Sequence, residues 1–123
     1  MTIIEAISQI DSLKPNTYSA KQKIQWLSQL EALVKQQVFD RHLGAGELPF
    51  AGFTQDTDTD TELFMPAPYD AAYLYWLEAQ IHYANEDIGL YNSAITLFTA
   101  AYSAFQADYH RNHEARITGR FRF

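Results

Sequence analysis

The stretch that decides the fold is residues 88–109, IGLYNSAITLFTAAYSAFQADY. Its large apolar side chains recur at alternating steps of three and four residues: Ile88, Tyr91, Ile95, Phe98, Tyr102, Phe105 and Tyr109. This spacing is that of one helix face buried along its whole length. Because such a face must lie against other helices or other subunits, the stretch predicts an all-α fold.

Capping signals mark the first two helices. Thr2 is followed by Glu5, and Ser19 by Gln22, at the spacing of a capping box. In such a box, side chains accept hydrogen bonds from N–H groups that the first turn leaves unpaired. Apolar periodicity, with Pro and Gly as breakers, indicates the remaining boundaries. We therefore predict helices over residues 3–13, 20–41, 69–84 and 87–111.

The predicted architecture is a four-helix, up-and-down-like bundle. Residues 69–84 are apolar over most of the helix circumference, so we expect this helix to be central. Residues 43–68 are expected to form a long loop, or a small β-hairpin that pairs 48–53 with 62–65. The predicted core consists of Ile7, Leu27, Leu30, Val34, Trp76, Leu77, Ile81, Tyr91, Ile95, Phe98, Tyr102 and Phe105.

Length and composition limit the classes of protein that the chain can represent. A chain of 123 residues is the length of one domain. We predict a helical domain over 1–111 and a basic, irregular tail over 112–123. The absence of Cys excludes disulfide scaffolds, thiol catalysis and Cys-ligated zinc. No apolar run approaches about 18 residues, so we expect no membrane span, and we expect no signal peptide.

The net charge of −6 is unevenly distributed along the chain. Residues 110–123 contain four Arg against Glu114 alone, a balance of +3, which leaves −9 on residues 1–109. The tail has too little apolar surface to fold alone, so we expect it to be mobile until it docks. Its candidate interface residues are Arg111, Arg116, Arg120, Phe121, Arg122 and Phe123. Because the body is so acidic, we expect no specific nucleic-acid partner.

An acidic run in the long loop is the second candidate interface element: Asp56, Asp58, Asp60 and Glu62. An EF-hand loop that started at the first of these would need Gly at position 61 and Glu at position 67. The chain has Thr61 and Ala67 there, which argues against an EF-hand. A loose cation site and a solvated loop tip both stay open, and we expect protein contact rather than calcium binding.

Metal and catalytic signals are weak throughout the sequence. Glu78 and His82 are four residues apart, whereas helical di-metal sites use Glu-x-x-His and need further carboxylates. His110 and His113 stand among arginines, and His42 is isolated. No Gly-x-Ser-x-Gly, phosphate-binding loop or HExxH motif occurs. We therefore expect no catalytic residue, no metal and no cofactor, and an enzyme has the least support of the classes considered.

Several short segments, in this order and spacing, resemble one family. They are TIIEAI (2–7), DSLKPN (11–16), KIQWLS (23–28), PAPYD (66–70), WLEAQI (76–81) and AAYSA (100–104). Together they resemble small helical proteins encoded by tailed phages and prophages of Gram-positive bacteria. Those proteins look like head–tail connector, adaptor or head-completion components. The resemblance covers residues 2 to about 111 and carries over no catalytic residue.

The resemblance implies a ring of copies beneath the portal protein. The expected partners are the portal and neighbouring connector copies, with a homo-oligomer in the particle and a monomer as one state of the isolated chain. The expected location is the head–tail junction of the virion, after assembly in the host bacterial cytoplasm. Independently of the resemblance, the acidic loop and basic tail suit the two halves of a head-to-tail contact. A symmetric helical dimer, or a small helical adaptor or regulatory protein that binds one cellular partner, are the alternatives.

Overall fold

The structure, a computed structural model, describes residues 1–41, 50, 52–54 and 56–112. These residues form four α-helices and one short 3-10 turn at Phe39–Arg41. Within them no β-strand forms, so the all-α prediction is confirmed. The helices are α1 (Ile3–Leu13), α2 (Ala20–Gln37), α3 (Ala71–Ala84) and α4 (Ile88–Asn112).

Helix boundaries follow the sequence signals to within a few residues. The capping box forms at α1, where Glu5 N–H donates to the Thr2 hydroxyl (3.2 Å) and Thr2 N–H to the Glu5 carboxylate (2.9 Å). At α2 the Ser19 hydroxyl accepts a bond from Gln22 N–H (3.1 Å). The predicted second helix was too long, because α2 ends at Gln37 and the chain then tightens into the 3-10 turn.

The helix α3 is central, as its uniform apolarity predicted. It packs against α1, α2 and α4, whereas α4 packs mainly along α3 and reaches α2 through a hydrogen bond from the Tyr102 hydroxyl to the Gln37 side-chain oxygen (2.9 Å). The indole Nε1–H of Trp76 also donates a hydrogen bond to the Trp26 carbonyl oxygen of α2 (2.8 Å). Helices α3 and α4 therefore form a hairpin whose second arm covers only one side of the bundle.

Most of the predicted core positions are buried, and three are not. Trp76 and Ile95 are half-buried at the edge of the core, and Tyr91 is half-buried against the exposed ring of Tyr83 (centroids 5.5 Å apart). These three residues are therefore less buried than the sequence predicted. The predicted positions that are buried are Ile7, Leu27, Leu30, Val34, Leu77, Ile81, Phe98, Tyr102 and Phe105.

The aromatic stripe of α4 is not buried along its whole length, which corrects the sequence prediction. Ile88 is 55% exposed, and full burial along the stripe begins only at Phe98. The physical reason is the limited extent of the neighbours, because the first turns of α4 meet only the last turns of α3. Periodicity gave the correct side of the helix but not the length over which a partner covers it.

Of the two alternatives predicted for 43–68, a long loop or a small β-hairpin, the described residues show no hairpin, and residues 62 and 63 pair with the N-terminal segment. Glu62 forms an isolated antiparallel bridge with Thr2, and Leu63 N–H donates to the Met1 carbonyl oxygen (2.9 Å). The other half of the predicted hairpin falls partly on 48, 49 and 51, which lie outside the described residues. In the predicted tail over 112–123, Asn112 is the last residue of α4, and 113–123 also lie outside them.

Replacing Phe98 by Ala should lower the free energy of unfolding by about 3–4 kcal/mol. The ring is 6% exposed and packs between Trp76 (centroids 5.2 Å apart) and Tyr102 (5.5 Å). Its neighbour Leu97 is half exposed, so Leu97→Ala is the matched control and should cost less than about 1 kcal/mol. Urea unfolding followed by circular dichroism measures both, and equal losses would contradict the packing described.

Candidate functional site

The acidic loop, residues 56–62, lies against the N-terminus of α1. Ile3 N–H donates to the Thr61 carbonyl oxygen (3.1 Å), and Ile4 N–H donates to that of Thr59 (2.9 Å). These N–H groups belong to the first turn of α1, which has no partners of its own for them. The loop therefore caps the helix, and the helix fixes the backbone of the loop.

Local turns organise the rest of the acidic loop. Asp60 N–H donates to the Asp58 side chain (2.9 Å), and the Thr61 hydroxyl donates to the Asp58 carbonyl oxygen (2.6 Å). Just upstream, Thr54 N–H donates to the Thr57 hydroxyl (2.7 Å). The alternation of Asp and Thr thus has a structural reason, since the threonines at 57, 59 and 61 are half-buried while the carboxylates are exposed.

The predicted acidic interface residues are brought together on one exposed loop. The four side chains of Asp56, Asp58, Asp60 and Glu62 all face solvent. Among the residues that the structure describes, no group of three or more His, Cys, Asp or Glu side chains could hold a metal ion. The loop presents negative charge outward, and the exposed Glu62 carboxylate also contacts the N-terminal ammonium of Met1 at 3.2 Å.

The basic half of the predicted interface is described only at its first residue. Arg111 is exposed in the last turn of α4, and its guanidinium contacts the Asp108 carboxylate at 3.3 Å. The remaining predicted residues lie outside the described part of the chain: Arg116, Arg120, Phe121, Arg122 and Phe123. The pairing of an acidic loop with a basic tail therefore stays a prediction.

A buried carboxylate that the sequence analysis missed joins α2, α3 and the end of the loop. Glu31 of α2 is completely buried, and its carboxylate accepts a bond from the Tyr73 hydroxyl (2.6 Å) and another from Phe64 N–H (2.7 Å). The Tyr73 hydroxyl in turn accepts a bond from Met65 N–H (2.7 Å). The available signal was the position of Glu31 on the same helix face as Leu27, Leu30 and Val34.

Burial dominates the electrostatics of this network. It raises the pKa of Glu31 to about 7, although the bonds from Tyr73 and Phe64 favour the ionised form. Burial and the adjacent Glu31 carboxylate also raise the pKa of Tyr73 well above its usual range. A shifted pKa often marks a catalytic group. Here the carboxylate has no contact with solvent, and its hydrogen bonds join α2, α3 and the segment after the acidic loop.

A second buried ion links α1 to α2. The Lys23 ammonium is almost fully buried, pairs with the Asp11 carboxylate at 2.7 Å and donates to the Tyr18 carbonyl oxygen (2.8 Å). Partial burial alone would raise the pKa of Asp11, but the bonds from Lys23 and Asn16 hold it below its usual value. These contacts fix the turn between the two helices.

The histidine and glutamate of α3 meet as their spacing suggested. The His82 imidazole Nε2 lies 3.5 Å from the Glu78 carboxylate, whose other oxygen is 3.9 Å from the Lys14 ammonium. A lysine and a single carboxylate around one imidazole form an ion-pair cluster and not a ligand set for a metal. Two more of the histidines considered, at positions 42 and 113, lie outside the described residues.

Comparisons of the chain with protein-family models, with curated proteins and with solved structures find no match. Among the described helices, none combines the length and the apolarity needed to cross a membrane. The function must therefore be argued from the surfaces of the chain itself, together with the sequence resemblance.

Stability should fall as the pH rises from 5 to 8, because folding raises the pKa of Glu31 from an ordinary 4.5 to about 7. The folded state then binds a proton more tightly than the unfolded state, so this stabilisation is complete below about pH 4.5 and is lost as the pH rises through about 7. The loss attributable to Glu31 should be about 2–3 kcal/mol. Urea unfolding at both pH values measures it.

Glu31→Gln removes this titration, so the variant should lose less stability over the same pH range. The matched control is Glu86→Gln, which makes the same change at an exposed position and should keep the pH dependence of the parent protein. Identical pH profiles for Glu31→Gln and the parent would show that Glu31 does not titrate as its burial requires.

Calcium should bind the acidic loop no more tightly than about the millimolar range. The carboxylates are exposed on successive turns, and the described residues offer no convergent ligand set. Isothermal titration calorimetry with calcium chloride measures the affinity. A dissociation constant in the micromolar range would require a loop geometry different from the one described.

Proposed function

We propose that this chain is a structural subunit of a phage head–tail junction. In this proposal it acts as a connector or adaptor that assembles in a ring beneath the portal protein. The resemblance of residues 2 to about 111 to head–tail connector proteins suggests the class. The observation that carries the proposal is the acidic loop, whose backbone is fixed to α1 while its four carboxylates face solvent.

A loop fixed in this way suits a docking element. Its backbone is already ordered by the bonds from Ile3 and Ile4, so little conformational entropy remains to be lost on binding. Exposed charges of one sign steer encounter with a basic surface and set its register. The arginines at and beyond Arg111 supply such a surface on a neighbouring copy. A contact between two different patches is heterologous and closes into a ring when its rotation permits.

A structural role is also supported by the location of Glu31, the carboxylate whose pKa is raised by burial. Glu31 is sealed inside the core by Tyr73 and by the backbone at Phe64. We therefore propose no catalytic activity and no cofactor. The location that follows from the proposal is the head–tail junction of the virion, with assembly in the host bacterial cytoplasm. The alternative, an adaptor for one cellular protein, would use the same acidic surface.

Deleting the gene from the phage or prophage that encodes this chain tests the proposal. The expected products are filled heads and free tails that are not joined, counted by electron microscopy. Supplying the unchanged protein should restore joined particles. Supplying the triple variant Asp56→Asn, Asp58→Asn, Asp60→Asn should not, because it removes three charges while keeping the acceptor that Asp58 offers to Asp60 N–H. A loss of about 1.4 kcal/mol in docking already lowers the affinity about tenfold.

The matched control is the triple variant Asp56→Glu, Asp58→Glu, Asp60→Glu, which keeps the charge and should restore joined particles. Circular dichroism should show that both triple variants fold like the parent protein. Joined particles in the complete absence of the protein would reject the connector proposal. Joined particles accompanied by loss of a host function would favour the cellular adaptor.

A further inference from the structure

The helix α4 carries a second stripe on the side turned away from α3. We call it the outer face of α4, and its residues recur at steps of three and four like those of the buried stripe. All are exposed, and Leu90 and Leu97 are each 50% exposed. The outer face consists of Leu90, Ser93, Leu97, Ala100, Ala104 and Ala107.

The outer face differs from an ordinary solvated helix surface in two ways. A surface helix normally places charged residues opposite its buried stripe. Here no charged residue occurs anywhere from 88 to 107. Leu90 and Leu97 are two of the few large apolar side chains that are exposed among the described residues, and they lie one above the other on this face, seven residues apart. A contiguous apolar surface of this kind is typical of a contact site.

The distribution of side-chain size along the outer face is self-complementary. Its first half carries the large residues Leu90 and Leu97, and its second half carries only alanines. If a second copy lies antiparallel, about a two-fold axis between positions 98 and 99, each Leu meets a small partner. Leu90 then faces Ala107 of the other copy, and Leu97 faces Ala100. Alternating large and small residues across a helix pair allow close packing.

The charges at the ends of α4 favour the same orientation. Glu86 and Asp87 precede the helix. Arg111 lies in its last turn beside Asp108, and the segment 110–123 has a net charge of +3. An antiparallel pair places the acidic start of each helix beside the basic end of the other, whereas a parallel pair would place like charges together. The helix dipoles are also opposed in the antiparallel pair, which is the favourable arrangement.

We infer that the outer face of α4 binds the same face of a second copy of this chain, antiparallel, about a two-fold axis near residues 98 and 99. A helix of 25 residues is roughly 37 Å long. One such seam buries less than the roughly 1,200–2,000 Å² of a standard stable interface. The dimer is therefore weak and forms at high protein concentration. This inference does not rest on the proposed function, because the acidic loop takes no part in the contact.

Single-cysteine variants test the contact on a clean background, because the chain contains no Cys. In the antiparallel dimer the two copies of Ala100→Cys are offset by only roughly 5 Å along the helix axis, so mild oxidation should give a covalent dimer rapidly. Ala107→Cys is the matched control on the same face. Its two copies are roughly 25 Å apart in this dimer and should not cross-link. A parallel dimer would cross-link both variants.

A charge placed on the outer face should break the contact. Leu97→Glu, combined with Ala100→Cys, should abolish the cross-link and reduce the mass in sedimentation equilibrium to that of a monomer. Thr99→Glu is the control, because it adds the same charge at an exposed position of α4 outside the outer face. Circular dichroism at low concentration should show an unchanged helical fold for both variants, since both positions are exposed.

The inference is overturned if Ala100→Cys cross-links no faster than Ala107→Cys, or if Leu97→Glu leaves its cross-linking unchanged. A monomer at every attainable concentration, with no cross-link, would also overturn it. That result would exclude a second copy as the occupant of the outer face. Failure of this contact would leave the gene-deletion result unaffected, so the two proposals fail separately.

Discussion

The fold depends on how one buried carboxylate is satisfied. Glu31 lies in the core without a cation among its hydrogen-bonding partners, and burial of such a group costs several kcal/mol unless donors replace the lost water. Its donors are the Tyr73 hydroxyl and Phe64 N–H, one from α3 and one from the segment after the acidic loop. The cost of burying Glu31 between α2 and α3 is therefore reduced only when that segment is in place.

The hydrogen bonds that Glu31 requires also position the acidic loop, which is the surface proposed to bind partners. Leu63 and Met65 are buried on either side of Phe64, so this short segment belongs to the core although it is not helical. From there the chain runs directly into Glu62 and Thr61, which pair with the N-terminal segment and with α1. Because both oxygens of Glu31 accept hydrogen bonds, the geometry fits the ionised carboxylate even though burial favours the neutral form. The presentation of the acidic loop is thus coupled to an interaction in the core.

Sequence patterns predicted what is local and periodic and missed what joins distant positions. The capping box of Thr2 and the aromatic stripe through Phe98 concern neighbours on one helix, so spacing alone reveals them. The contact between Glu31 and Tyr73 spans 42 positions, and the pairing of Glu62 with Thr2 spans most of the described loop and two helices. No local pattern encodes such partners. A long loop or a small hairpin were the alternatives for 43–68, and neither anticipated that residues 62 and 63 pair with the N-terminal segment. Helix α4 also carries two apolar stripes. The large side chains of the aromatic stripe identified the buried side of the helix, and the outer face was not predicted as a contact surface.

The two proposed contacts differ in symmetry, and this difference decides what each can build. Contact between identical outer faces saturates itself at two copies, because each face is then covered. Contact between the acidic loop and a basic tail leaves one free half on every copy, so it continues until a ring closes. Arg111 lies at the end of α4 and at the start of the basic segment, where both contacts would use its guanidinium. Because this guanidinium already contacts Asp108 of its own copy and would then face two further acidic partners, the pairing through α4 would weaken as the ring forms. A free subunit could in this way keep its apolar surface covered by a second copy and release it on assembly.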